Sequence, residues 1–115
     1  MKKIIQIDIA NETARHYGAL ENDFSEKLVR RIRRKFKTKL EVNEVSVLAG
    51  HYKDIYAVAA KVLKDCLLPR TEKYADPKDI DHIKYMKLVG NNFPNDEKDI
   101  LEKITGWAIY WEYLR

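Results

Sequence analysis

A run of apolar residues at every fourth position constrains the fold of this 115-residue chain more than any other feature. The run extends from Leu20 to Phe36 through Phe24, Leu28 and Ile32, and arginines fall between its members. Because an α-helix makes one turn in about 3.6 residues, this spacing predicts a long amphipathic helix with one buried stripe. With 45% hydrophobic residues, the chain can fill the core of one folded domain over residues 1–115.

Three shorter segments predict β-strands, because their apolar positions are β-branched or alternate with polar ones. They are Lys3 to Ile9, Val42 to Leu48 and Tyr85 to Val89. We therefore expect an α+β domain of order β-α-β-(α-α)-β-α, in which a small three-stranded sheet has helices packed on one face and residues 51–84 form a helical insertion. The expected core comprises Ile5, Ile7, Phe24, Leu28, Ile32, Val45, Val47, Ile104 and Trp107.

Charge is distributed unevenly along the chain. Eight basic residues and no acid lie between Lys27 and Lys39, whereas seven acids lie between Asp76 and Glu102. The basic helix favours phosphate contacts with a nucleic acid, or contact with an acidic protein, and the alternative is a solvated face neutralised by the later acids. The candidate nucleic-acid-binding residues are Arg30, Arg31, Arg33, Arg34, Lys35 and Lys37.

The last predicted helix, with Asn95 as its cap, is unusually apolar in its second half. From Gly106 to Leu114 only Glu112 is strongly polar, so apolar surface extends well beyond one stripe. Such an excess indicates either a partner surface, including a homodimer interface, or burial under the helix predicted over residues 52–68. The candidate contacts to a partner are Ile109, Tyr110 and Tyr113.

Catalytic and metal-binding motifs are absent from the sequence. The three histidines are far apart, the single cysteine is Cys66, and only four glycines occur. Asp79, Asp81 and His82 could offer metal ligands, but acids at a helix start also act as caps. We therefore expect a non-enzymatic protein with no cofactor or metal. No apolar run approaches the length needed to cross a bilayer, which predicts a cytoplasmic protein without membrane contact.

Several strings resemble the DinI-like family, small SOS-response and phage-borne modulators of RecA with a βαββα core. They are the segment from Ile4 to Ile9, the helix end from Leu28 to Ile32 with Phe36, the segment from Glu44 to Val47, and Leu88-Val89-Gly90 leading to the acidic start of the last helix. The predicted insertion and the aromatic second half of the last helix depart from the family pattern.

The resemblance implies a regulatory protein of the DNA-damage response that engages a RecA-type recombinase filament through an acidic ridge. The residues that match this ridge are Asp96, Glu97, Asp99 and Glu102. Two function hypotheses follow: a non-enzymatic regulator that binds a protein partner, and a nucleic-acid-binding module that uses the basic helix 27–39.

Overall fold

The computed structural model describes residues 3–17, 24–36, 41–69 and 73–114, which fold into five α-helices. The helices are α1 (Lys3–Tyr17), α2 (Phe24–Phe36), α3 (Val42–Leu63), α4 (His82–Asn92) and α5 (Lys98–Ile109). Short 3₁₀ turns span Lys64–Cys66 and Pro77–Asp79, and α5 continues into a π-helical turn over Tyr110–Leu114. Within the described ranges there is no β-strand, and an isolated bridge between Leu67 and Ile80 is the only β-pairing.

Helix α3 lies at the centre and packs against each of the other four helices. Helices α1 and α5 run side by side in the same direction. The Trp107 indole nitrogen donates to Asn11 Oδ1 at 2.8 Å, and one turn further along the Trp111 indole nitrogen donates to the Arg15 carbonyl at 2.9 Å. Helix α2 packs against α1 and α3. Residues from all five helices thus surround one core.

The core includes some of the nine residues that the sequence predicts for it. Leu28, Ile32, Val45 and Ile104 are fully buried, and Ile5, Ile7 and Trp107 are partly buried against the same cluster. Val47, however, is 71% exposed, so its assignment to the core is wrong. The side chain of Phe24 lies outside the described residues.

The α+β class is wrong, and the first expected strand shows why. Residues 3–9 begin α1, in which Ile9, Ala10, Thr13 and Ala14 are buried at helical spacing. Over only seven residues, isoleucines at alternate positions are compatible with either periodicity. Packing on the central helix then outweighs the modest β-preference of isoleucine.

The other two expected strands are also helical. Val45, Ala49 and Tyr52 are buried at positions i, i+4 and i+7, and α3 continues without a break through residue 51. The expected start of an insertion at residue 51 therefore lies inside a helix. Tyr85 and Val89 are buried one turn apart in α4. In the described residues, the three segments that were expected to form a sheet are therefore parts of packed helices.

The helical predictions for the basic segment and the last helix are confirmed. Helix α5 begins after Glu97 rather than at the predicted cap Asn95. Asp76 caps the turn that begins at Pro77 and forms a capping box with Asp79. None of the described helices combines the length and apolar character needed to span a membrane.

Candidate functional site

Helix α2 presents a basic outer face because its described apolar side chains point inward. Leu28, Val29 and Ile32 are buried against α1 and α3. At 100° per residue, Arg30 and Arg34 then point directly away from the core, with Arg33 beside them. All three arginines are exposed. We call Arg30, Arg33 and Arg34 the outer arginines.

The inner edge of α2 is held to α1 by a buried acid. Glu12 has a side chain that is only 3% exposed, and its Oε1 accepts a hydrogen bond from Lys35 Nζ at 2.7 Å. Burial raises the pKa of Glu12, but the hydrogen bond and charge of Lys35, with smaller effects of His16 and Arg15, outweigh it, so the pKa is lowered. The carboxylate stays charged and anchors Lys35.

His16 forms the second link between α1 and α2. Its Nε2 lies 3.1 Å from Glu12 Oε2, and Arg31 Nη1 lies 2.9 Å from its Nε2 and 3.2 Å from its Nδ1. Burial, followed by the nearby charge of Arg31, lowers the pKa of His16. The ring therefore lies between the Glu12 carboxylate and the Arg31 guanidinium and bridges α1 and α2.

The predicted nucleic-acid-binding residues thus divide into two groups. Arg31 and Lys35 are exposed but tied to α1, whereas no described carboxylate forms an ion pair with any outer arginine. Lys37 lies outside the described residues. Sequence reasoning identified the basic helix but missed Glu12 and His16, although their spacing of one helical turn was a usable signal.

The acids of the expected ridge lie around the start of α5, and each contacts a lysine or a histidine. Lys3 Nζ lies 2.7 Å from Glu97 Oε2 and 3.1 Å from Asp99 Oδ2. These contacts raise the pKa of Lys3, chiefly through its hydrogen bonds to Glu97 and Asp99. Asp96 contacts His51 at 2.9 Å, and Glu102 lies 3.8 Å from Lys98. Neutralisation of the outer arginines by these later acids is therefore not observed.

The three candidate contacts to a partner on the last helix have different environments. Ile109 is 8% exposed and belongs to the core, whereas Tyr110 is 44% exposed. Tyr113 is partly buried and donates to Asp79 Oδ2 at 2.6 Å. A single exposed face that carries all three residues is therefore not present. Their role in partner binding stays a prediction, and Tyr110 is the member most accessible to a partner.

The acids around residue 80 have structural roles. Asp79 accepts from the Asp76 backbone N–H as well as from Tyr113, and Asp81 accepts from the backbone N–H of Lys84 as the cap of α4. His82 Nε2 lies 2.8 Å from the Pro77 carbonyl oxygen. Across the described part of the chain, no three His, Cys, Asp or Glu side chains are grouped as a metal site requires.

Cys66 is the one cysteine of the chain, and its thiol is buried. Burial raises the pKa of the Cys66 thiol, which disfavours the reactive thiolate. Tyr52 and Tyr85 are also buried, and burial raises the pKa of Tyr52 to about 12. The Tyr85 hydroxyl donates to the Ala59 carbonyl at 2.9 Å. These groups are held in the core as neutral side chains.

Comparisons with known proteins return no family model, no curated protein and no solved structure that matches this chain. The βαββα core that the DinI-like resemblance implies is not present among the described residues. Membership of that family, and modulation of a RecA-type filament, stay predictions.

Proposed function

We propose that the chain is a non-enzymatic nucleic-acid-binding protein that contacts phosphates through the outer face of α2. One observation supports this function above the alternatives. Three exposed arginines lie together on one helix face, and no described carboxylate is paired with them. Like charges at these spacings destabilise a helix, and a polyanion relieves that repulsion.

Arginine suits this task because its guanidinium donates several hydrogen bonds in a fixed plane and remains charged at all physiological pH values. Helix α2 is also firmly placed, since Lys35 and Arg31 tie it to Glu12 and His16 of α1. The outer arginines therefore project from a rigid support. Contacts of this kind position a protein on a phosphate backbone and carry little sequence information.

A protein-partner regulator is the competing function, and it would use the acids of α5. Those acids already have partners in Lys3, His51 and Lys98, whereas no described carboxylate forms an ion pair with an outer arginine. The contrast favours the basic face as the principal binding surface. A nucleic-acid-binding role also agrees with the cytoplasmic location that the sequence predicts.

The test is a binding titration with a fluorescein-labelled 20-nucleotide DNA, followed by anisotropy at 50 mM NaCl. We expect the triple variant R30Q/R33Q/R34Q to bind roughly 10- to 100-fold more weakly than wild type, because three phosphate contacts are lost. The variant should remain folded, since glutamine is a good helix former and the replaced side chains are exposed.

The matched control is K61Q/K78Q/K87Q, which removes the same charge from exposed positions outside α2. It should bind within about twofold of wild type, apart from a small effect of net charge. Equal losses in the two triple variants would show that only total charge matters and would refute a site on α2. Absence of binding by wild type would refute the proposed function altogether.

A further inference from the structure

Three aromatic rings cluster at the carboxyl end of α5. The Tyr110 ring lies 5.7 Å from the Trp107 ring and 5.1 Å from the Trp111 ring, with interplanar angles of 89° and 72°. Hydrogen bonds from both indoles to α1 fix the flanking rings in place. Tyr110, between them, is 44% exposed. The cluster is therefore a rigid aromatic surface that reaches solvent.

An open notch of about 610 Å³ adjoins this cluster. The residues that line it lie on α5 and at the start of the π-helical turn that follows, and they are Glu102, Lys103, Gly106, Trp107 and Tyr110. Gly106 leaves the floor of the notch empty, because a Cβ built there would meet no heavy atom within 4 Å. The volume falls within the range of small-ligand sites, and the aromatic side of the notch suits a planar ring.

A short chain of contacts connects the notch with the basic face of α2. Arg31 Nη1 contacts the ring of His16, whose neighbour in sequence is the exposed Arg15. The Arg15 carbonyl accepts the hydrogen bond from Trp111, and the Trp111 ring is in contact with Tyr110. Contacts thus link Arg31 of α2, the last turn of α1 and the aromatic cluster, and Arg15, whose Nη1 lies 3.8 Å from Glu12 Oε1, adds an exposed cation in that last turn.

We propose that this combined surface prefers single-stranded nucleic acid, with the phosphates on α2 and Arg15 and an unpaired base in the notch against Trp107 and Tyr110. The inference rests on the proposed function and adds the form of the nucleic acid. A base in a duplex has both faces covered by its neighbours, whereas an unpaired base can stack on an aromatic side chain. Lys103 at the rim supplies a further cation near the base.

The first measurement compares (dT)20 and (rU)20 with a 20-base-pair duplex at the same salt concentration. Both single strands should bind at least fivefold more tightly than the duplex, because stacking adds to the phosphate contacts. Trp107 and Trp111 are the two tryptophans of the chain, and both lie in the cluster. Either single strand should therefore quench the intrinsic tryptophan fluorescence, and the duplex should not.

The second measurement uses variants of the notch. Tyr110→Ala should weaken (dT)20 binding about tenfold, which equals about 1.4 kcal/mol, and should leave duplex binding unchanged. Gly106→Leu should fill the notch and give a similar loss. The matched control is Gly50→Leu, because Gly50 is an exposed helical glycine of α3 with the same empty surroundings.

The outcomes separate this inference from the proposed function. Equal affinity for single strands and duplex, together with unchanged (dT)20 binding by Tyr110→Ala and Gly106→Leu, would overturn the single-strand preference and leave phosphate binding by α2 intact. A roughly 10- to 100-fold loss in R30Q/R33Q/R34Q would support the proposed function. Tighter binding of single strands by wild type that is weakened in Tyr110→Ala and Gly106→Leu but retained in Gly50→Leu would support the single-strand preference. Failure of wild type to bind any of the probes would refute both.

Discussion

At the scale of single residues, the most consequential side chain is Glu12, a buried carboxylate that the apolar pattern gave no reason to select. Its neighbours Lys35 and His16 lie on two different helices. An isolated buried charge is strongly unfavourable, so the carboxylate requires these partners and fixes them in return. The position of α2 on α1 therefore depends on a group that hydrophobic periodicity does not reveal.

This cluster makes stability depend on pH. The pKa values of Glu12 and His16 in the folded chain both lie below their ordinary values of 4.5 and 6.5. The unfolded chain therefore binds protons more readily at both sites, and stability is complete above about pH 6.5 and lost as pH falls. Urea unfolding between pH 7.5 and 4 should show a decline below pH 6.5 and a further one below pH 4.5.

The matched variant for this experiment is His16→Gln, which keeps a polar side chain but cannot titrate. It should lack the decline that begins near pH 6.5 and retain the one that begins near pH 4.5. A free energy of unfolding that rises as the pH falls from 7 to 5 in wild type would contradict the direction of the His16 shift, and one that rises as the pH falls below 4.5 would contradict the direction of the Glu12 shift.

A second residue-scale prediction compares two apolar side chains that the sequence placed together in the core. Leu28 is fully buried, whereas Val47 is 71% exposed. Leu28→Ala should lower the free energy of unfolding by about 2–5 kcal/mol, since it leaves a cavity. Val47→Ala should change it by less than about 0.5 kcal/mol. Equal losses in chemical denaturation would show that residue 47 is in the core, as a strand would place it.

At the scale of elements, the length of each apolar pattern determined whether it predicted the correct secondary structure. The stripe of α2 extends over several turns and gave the correct element and the correct buried residues, Leu28 and Ile32. The apolar patterns that begin at Lys3 and Val42 extend over about seven residues each, and at that length the patterns of a strand and a helix overlap. Val45, Ala49 and Tyr52 are buried at helical spacing, and this spacing is visible only when residues 42–48 and the helix predicted over residues 52–68 are taken as one segment.

The continuity of α3 through Gly50 provides a test at this scale. A Cβ added at Gly50 would meet no heavy atom within 4 Å, and the residue lies well inside the helix. Gly50→Ala should therefore raise the free energy of unfolding by about 0.5–1 kcal/mol, because alanine has the higher helix propensity. Thermal unfolding followed by circular dichroism would measure the change. A clear destabilisation would indicate a turn after residue 48, as the α+β interpretation requires.

At the scale of the whole molecule, charge is separated between two regions. The outer arginines lie on the exposed face of α2. The acids Asp96, Glu97 and Asp99 lie near the start of α5, beside Lys3 and His51. The sequence predicted this separation, since the chain is basic early and acidic late. It did not predict the connection between the basic face and the aromatic cluster, because that depends on α1 packing between α2 and α5.

The salt dependence of nucleic-acid binding tests the central claim, that the outer arginines contact phosphates, most directly. The affinity for the labelled 20-nucleotide DNA would be measured between 50 and 200 mM NaCl for wild type, R30Q/R33Q/R34Q and K61Q/K78Q/K87Q. Each lost phosphate contact lowers the magnitude of the log-log slope by about 0.7 on a single strand. The slope of R30Q/R33Q/R34Q should therefore be shallower than that of wild type by about 2, and the control slope should be unchanged. Identical slopes for wild type and R30Q/R33Q/R34Q would contradict phosphate contact by α2.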